Sequence, residues 1–118
     1  MPKTVLIVED EYLIATDIQR LLESRGWRVM GPVPSVRAAL RLLEGELPSV
    51  AVLDVNLGTE LVTPVAEALT ARHVPFVLAT AHDRPERIGG QVLAGVPNLG
   101  KPVSEQELLA TLARMTGA

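Results

Sequence analysis

The 118-residue chain contains no cysteine, which excludes a disulfide framework and thiolate metal sites. Aromatic residues are nearly absent at 3%. Tyr12 and Trp27 read most simply as partial core or surface aromatics. Basic charge is not in excess: the formal net charge of -3 argues against nucleic-acid binding through a basic surface. No run of like charges marks a tail. No apolar stretch approaches the length of a membrane span, and the N-terminus enters a strand pattern at Thr4 without a signal-peptide pattern. A cytoplasmic protein is expected. Internal repeats and low-complexity segments are missing too. What remains, 47% hydrophobic residues at this length, fits one domain spanning 1–118 with no output domain attached.

Short apolar runs recur at 4–8, 50–54 and 76–80, rich in Val, Ile and Leu and without polar alternation. Strands covered on both faces of a parallel sheet have this composition. Helical patterns lie between them. Ile14, Ile18, Leu21 and Leu22 share one face before Gly26. Val36, Ala39, Leu40 and Leu43 follow Ser35, a plausible N-cap. Thr63-Pro64 can open a third helix, with Val65, Ala66 and Leu69 inward. Ser104 and Glu107 have capping-box spacing ahead of Leu108, Leu109, Leu112 and Met115. Alternating strands and helices imply right-handed crossovers and an α/β fold. Residues 81–97 should hold one more helix, yet contain Pro85, Gly89, Gly90, Gly95 and Pro97. The glycine pair alone costs roughly 2 kcal/mol of helix propensity relative to Ala, and only Ile88, Val92 and Leu93 could form an apolar stripe. A short, frayed or missing helix is expected there.

Polar groups sit where the strands end. Glu9-Asp10 follow the first run, Asp54 ends the second, Thr80 the third, and Lys101-Pro102 follow one more short segment. If the strands are parallel and adjacent, these groups converge outside their carboxyl ends, where ligands of open α/β sheets bind. Three carboxylates, a hydroxyl and an ammonium can hold a divalent metal and a phosphoryl group. Two like charges about 4 Å apart repel by roughly 4 kcal/mol at an effective dielectric of 20. A hard cation such as Mg²⁺ (or Mn²⁺), bound to carboxylate and phosphate oxygens together, removes that repulsion. Each residue alone also has a plainer reading: the acidic trio Glu9-Asp10-Glu11 as a helix cap, Asp54 as a turn residue, Thr80 as an ordinary strand residue, Lys101 as a solvated one, and His73 and His82 as surface residues.

Taken together, in order and spacing, Glu9, Asp10, Asp54, Asn56, Thr80, Lys101 and Pro102 resemble the receiver domain of two-component response regulators over essentially the full chain. The resemblance implies a doubly wound five-stranded parallel sheet in the order 2-1-3-4-5. It implies Asp54 as the phosphate acceptor, with Asp10 and Asp54 as direct metal ligands, Glu9 acting through water and the backbone carbonyl of Asn56 completing the protein ligands. Lys101 would pair with a phosphoryl oxygen, Thr80 would donate its hydroxyl to another, and Ala81 would leave room for the phosphate. A cis Lys101-Pro102 bond is also implied. His82 could tune access of water to the phosphate.

The chain departs from that pattern at three places. Asn98 stands where many receivers carry Tyr or Phe, and Gly58 where many carry Pro. The Leu-Ala-Thr-Ala-His stretch over 78–82 partly matches the Phe-Ala-Thr-Gly-Tyr-like motif of an atypical single-domain subgroup, whose members often work with kinases of general-stress or light-sensing pathways. The expected function is a stand-alone response regulator. It would take phosphate on Asp54 from a histidine kinase or phosphotransfer protein and signal by protein-protein contact, or act as a phosphate sink. It would not be an enzyme beyond Mg²⁺-assisted self-phosphorylation and autodephosphorylation. The alternatives are a phosphorylation-independent pseudo-receiver, whose mark would be loss of an essential residue, and a metal-dependent aspartyl phosphohydrolase. The usual Asp-x-Asp of the latter is replaced here by Asp54-Val55-Asn56.

Overall fold

The computed structural model describes residues 3–117. Four strands form one parallel sheet in the order β2-β1-β3-β4: β1 Thr4–Val8, β2 Arg28–Val33, β3 Val50–Leu53 and β4 Phe76–Leu78. Helices α1 Tyr12–Ser24, α2 Val36–Gly45, α3 Thr63–Ala71, α4 Glu86–Gly89 and α5 Glu105–Thr116 connect or follow them. Side chains alternate across a strand with period two, and β1 shows what this does. Val5 and Ile7 pack with Ile18 and Leu22 of α1 and Leu108 and Leu112 of α5. Leu6 and Val8 pack on the other face with Ala39 and Leu43 of α2 and Val65, Ala66 and Leu69 of α3. Both faces are therefore covered, which is why the strands carry no polar alternation. A fully buried leucine such as Leu22 or Leu108 contributes roughly 1.5–3 kcal/mol.

Helix starts follow the sequence signals. The Ser35 hydroxyl accepts from the Ala38 amide at 3.2 Å, and that of Ser104 from the Glu107 amide at 3.3 Å. Glu60, from the loop after β3, adds a carboxylate that accepts from the Val36 amide at 3.1 Å and so anchors that loop to α2.

The expected fifth strand is not formed. Its place beside β4 holds a single parallel bridge between Leu78 and Asn98. The Leu78 amide donates to the Pro97 carbonyl and the Leu99 amide to the Leu78 carbonyl, both at 2.8 Å. Pro97 has no amide to extend the ladder on one side, and Gly100 at φ +75° turns the chain out of extended geometry on the other. Strand β4 is also shorter than expected and stops at Leu78, two residues before Thr80. The weakened helix is as expected: α4 is a single turn, followed by a 3₁₀ turn over Gln91–Leu93. The apolar stripe is split. Leu93 is buried, Val92 is half-buried against the core, and Ile88 points outward at 40% exposure.

Candidate functional site

The last rungs of the sheet set the backbone of the acidic residues. The Glu9 amide donates to the Val33 carbonyl (3.0 Å), the Asp54 amide to Val8 (2.9 Å) and the Ala79 amide to Leu53 (2.9 Å). Each residue just past a strand end is thus held by its neighbour's final carbonyl, and the acids emerge together at one edge. Asp54 and Glu9 are almost fully buried, at 5% and 4% exposure. Asp10 and Glu11 are exposed. The loop after β3 closes on itself through the Leu57 amide to the Glu60 carbonyl (2.8 Å) and the Gly58 amide to the Asn56 side-chain oxygen (3.2 Å). Gly58 sits at φ +84°. Proline is locked near φ -65°, so it could not occupy this turn.

Lys101 organises the acids. Its Nζ lies 3.2 Å from Asp54 Oδ2, 3.2 Å from Glu9 Oε1 and 3.2 Å from Glu11 Oε1. The Lys101-Pro102 bond is cis. Burial raises the Glu9 pKa to about 7, with the Asp54 charge adding to the effect and the Glu11 amide, which donates to Glu9 Oε2 at 3.1 Å, opposing it. Burial likewise raises the Asp54 pKa, against hydrogen bonds from Glu9 and the attraction of Lys101. For Lys101 burial works against the charge, but the carboxylates of Asp54 and Glu9 outweigh it and push the pKa up. The ammonium therefore remains charged throughout the neutral range.

A cleft of about 390 Å³ opens above this cluster, lined by Asp10, Asp54, Asn56, Thr80, Ala81, His82 and Lys101 among others. The structure thus brings together nearly every residue singled out from the sequence. Pro102 faces instead a neighbouring groove between α1 and the start of α5, also bordered by Lys101, Ile14, Ile18, Leu21 and Leu108. His82 is exposed at the rim, and His73 is exposed at the end of α3, away from the cleft residues.

Two residues carry more than the sequence reading assigned to them. Carboxylate oxygens of Glu9, Glu11 and Asp54 lie within 4.8 Å of one another. Glu11 therefore belongs to the cluster that the Glu9-Asp10 pair was expected to form with Asp54, while Asp10 lines the cleft beside it. The acidic trio at 9–11 was the available signal, but its third member reads equally well as a helix cap. Asn98, noted only as a missing aromatic, bonds the turn that carries Thr80 (3.2 Å from its Oδ1 to the Thr80 amide).

A divalent cation fits these donors. All are hard oxygens, as Mg²⁺ and Mn²⁺ prefer. Glu9 Oε1 is buried and accepts no hydrogen bond among the described residues, and its only positive neighbour there, Lys101 at 3.2 Å, is shared with Asp54 and Glu11; a cation would satisfy it further.

Residues 5–113 match the family model described as the response regulator receiver domain. The chain is 28% identical over 114 residues to the transcriptional regulatory protein PdtaR of Mycobacterium tuberculosis, covering 95% of this chain and 56% of that protein. The chain spans about half the length of the first curated relatives it matches. Among solved structures, the receiver domain of the sensor histidine kinase PA1611 from Pseudomonas aeruginosa superposes with a TM-score of 0.85 at 27% identity, covering 100% of both chains. That structure is described with a magnesium ion in its active-site cleft. The response regulator PhyR from Brucella abortus matches with a TM-score of 0.81 at 29% identity, over 99% of this chain and 49% of that one. Among the described residues, no helix is long and apolar enough to cross a membrane.

Proposed function

This chain belongs to the response regulator receiver domain family, and from that premise we propose that it accepts a phosphoryl group on Asp54 from a histidine kinase or phosphotransfer protein. The observation that carries the reading is the Lys101 ammonium 3.2 Å from Asp54 Oδ2, in a cleft shared with Thr80 and the acidic residues. Glu9, Asp10, Asp54 and the backbone carbonyl of Asn56 would hold Mg²⁺ or Mn²⁺. When bound, the ion supplies the positive charge that lets a phosphoryl group approach carboxylates.

The chain's own groups do the rest. An Asp54 carboxylate oxygen attacks phosphorus. The P–O bond forms as the P–N bond of the donor phosphohistidine breaks, and the electron pair leaves with the imidazole. Lys101 then exchanges its Asp54 contact for a phosphoryl oxygen as a point charge. The Thr80 hydroxyl donates to another oxygen, and Ala81, with only a methyl group, leaves the approach clear. His82 at the rim meters water and so the lifetime of the acyl phosphate. The groove of about 600 Å³ beside Lys101, between α1 and α5, offers a partner protein a seat next to the cleft. The phosphorylated form signals by contact with a second protein or serves as a phosphate sink.

The test is intact mass after incubation with Mg²⁺ and acetyl phosphate. Wild type gains one phosphoryl group and Asp54→Asn gains none. Equal labelling of the two, or of neither, overturns the reading.

A further inference from the structure

We infer that Asn98 is a positioning residue for Thr80: its side-chain amide takes the place of the missing next rung of the sheet and holds the hydroxyl-bearing turn against the cleft. The inference rests on the receiver reading above and deepens it. The ladder between β4 and the segment beside it stops at Leu78. The next inward amide, that of Thr80, would otherwise look for a carbonyl on a fifth strand. Asn98 Oδ1 accepts it at 3.2 Å, and accepts the Gly100 amide at 3.0 Å as well. Asn98 Nδ2 donates to the His82 carbonyl at 2.9 Å. A carboxamide carries the same donor and acceptor as a peptide group, so one side chain substitutes for a stretch of strand. Its orientation is dictated by its partners. Flipped, the amide would set its NH₂ against two N–H donors and its oxygen against a carbonyl.

The pinned turn is the functional one. Thr80 is 2% exposed, and its Oγ1 accepts from the His82 amide at 3.2 Å. Asn98 thus grips this small ring at both ends, at the Thr80 nitrogen and the His82 oxygen. The hydroxyl proton has no acceptor among the described residues, so it is ready for a phosphoryl oxygen on Asp54. Through Gly100, the same side chain ties the turn to the residue preceding Lys101. Holding a donor in its bound position before the ligand arrives raises affinity by removing the ordering cost. Mg²⁺, which needs the carboxylates and not Thr80, should not register the loss of that amide.

The experiment measures beryllofluoride affinity at saturating Mg²⁺, and Mg²⁺ affinity alone, for the full chain and for Asn98→Leu, Thr80→Val and the double variant, with Asn98→Ser in reserve should the leucine variant not fold. Asn98→Leu is expected to weaken beryllofluoride by about tenfold, the scale of one or two hydrogen bonds, with Mg²⁺ affinity changed less than about twofold. The double variant is expected to be no weaker than Thr80→Val, because Asn98 acts through Thr80. Unchanged beryllofluoride affinity in Asn98→Leu, an equal fall in Mg²⁺ affinity, or additive losses in the double variant would each overturn the inference while leaving the receiver reading intact. Failure of the wild type to bind beryllofluoride would overturn both.

Discussion

Glu9 Oε1 lies 3.2 Å from the Lys101 ammonium, yet is buried without a hydrogen bond. The ammonium donates instead to Glu9 Oε2 at 3.4 Å, and it serves three carboxylates at once. The cluster is thus short of positive charge. Burial raises the Glu9 pKa and the Asp54 charge adds to it, while Lys101 only partly offsets them; the shortage makes the acidic crevice a place for a cation. Stability and ligand binding at this edge are therefore opposed: groups gathered to receive a metal and a phosphoryl group repel one another when the cleft is empty.

The Glu9 carboxyl binds its proton more tightly folded than unfolded, up to about 7 against the ordinary 4.5. Between those values the folded state holds more protons, so stability falls as pH rises through the window. This contribution is fully present below 4.5 and lost by about 7. Glu9→Gln should flatten that slope and gain roughly 1–3 kcal/mol at pH 8. Urea unfolding at several pH values checks it; an unchanged slope in the variant would contradict the assignment.

Removing Lys101 leaves buried carboxylates without their counter-charge. Lys101→Met should cost roughly 2–4 kcal/mol near neutral pH. Millimolar Mg²⁺ should restore part of this loss, because the ion supplies the missing charge. Chemical denaturation with and without Mg²⁺ measures both effects. Acetyl phosphate labelling of Asp54 should also fall.

Mg²⁺ binding only the folded state should stabilise the wild type by mass action, by about 2.7 kcal/mol at a hundred times the dissociation constant. Thermal unfolding at increasing Mg²⁺ reads this. Asp10→Asn should remove the metal-dependent shift. Persistence of the full shift in that variant would assign the ion to Glu9, Glu11 and Asp54 without Asp10.

Gly89 packs closely against the side chains of Leu93 and Thr63. A Cβ there would lie 2.4 Å from Leu93 Cδ1 and 3.2 Å from Thr63 Oγ1, which donates to the Gly89 carbonyl at 2.7 Å. Although alanine favours helices, Gly89→Ala should destabilise by roughly 1–3 kcal/mol through overpacking. Hydrogen exchange should show the loss concentrated in 83–97, a segment of single turns that should exchange faster than β1 and β3 even in the wild type. Beryllofluoride with Mg²⁺ should slow exchange there, since this segment leaves directly from Thr80.

Local rules were enough for much of this protein. Apolar runs without alternation announced strands buried on both faces, Ser35 and Ser104 announced helix starts, and glycines with prolines announced a broken α4. Because the strands are parallel, residues just past their ends had to meet at one edge, which made Asp54, Thr80 and Lys101 readable as one cleft. These inferences need only periodicity, caps and topology. The structure decided what depends on partners distant in the chain. The fifth strand gives way to one bridge at Asn98, whose carboxamide accepts the Thr80 amide in place of a further rung. Glu11 joins the acidic cluster because Lys101, ninety positions away, reaches it. Leu93 anchors the segment after α4 because it packs into the core shared with Val65, Ala66 and Leu69 of α3, close against Gly89. Hydrogen-bond competition, charge pairing and close packing act between side chains that only tertiary structure brings within a few ångströms. No local pattern along the chain encodes which of them will win.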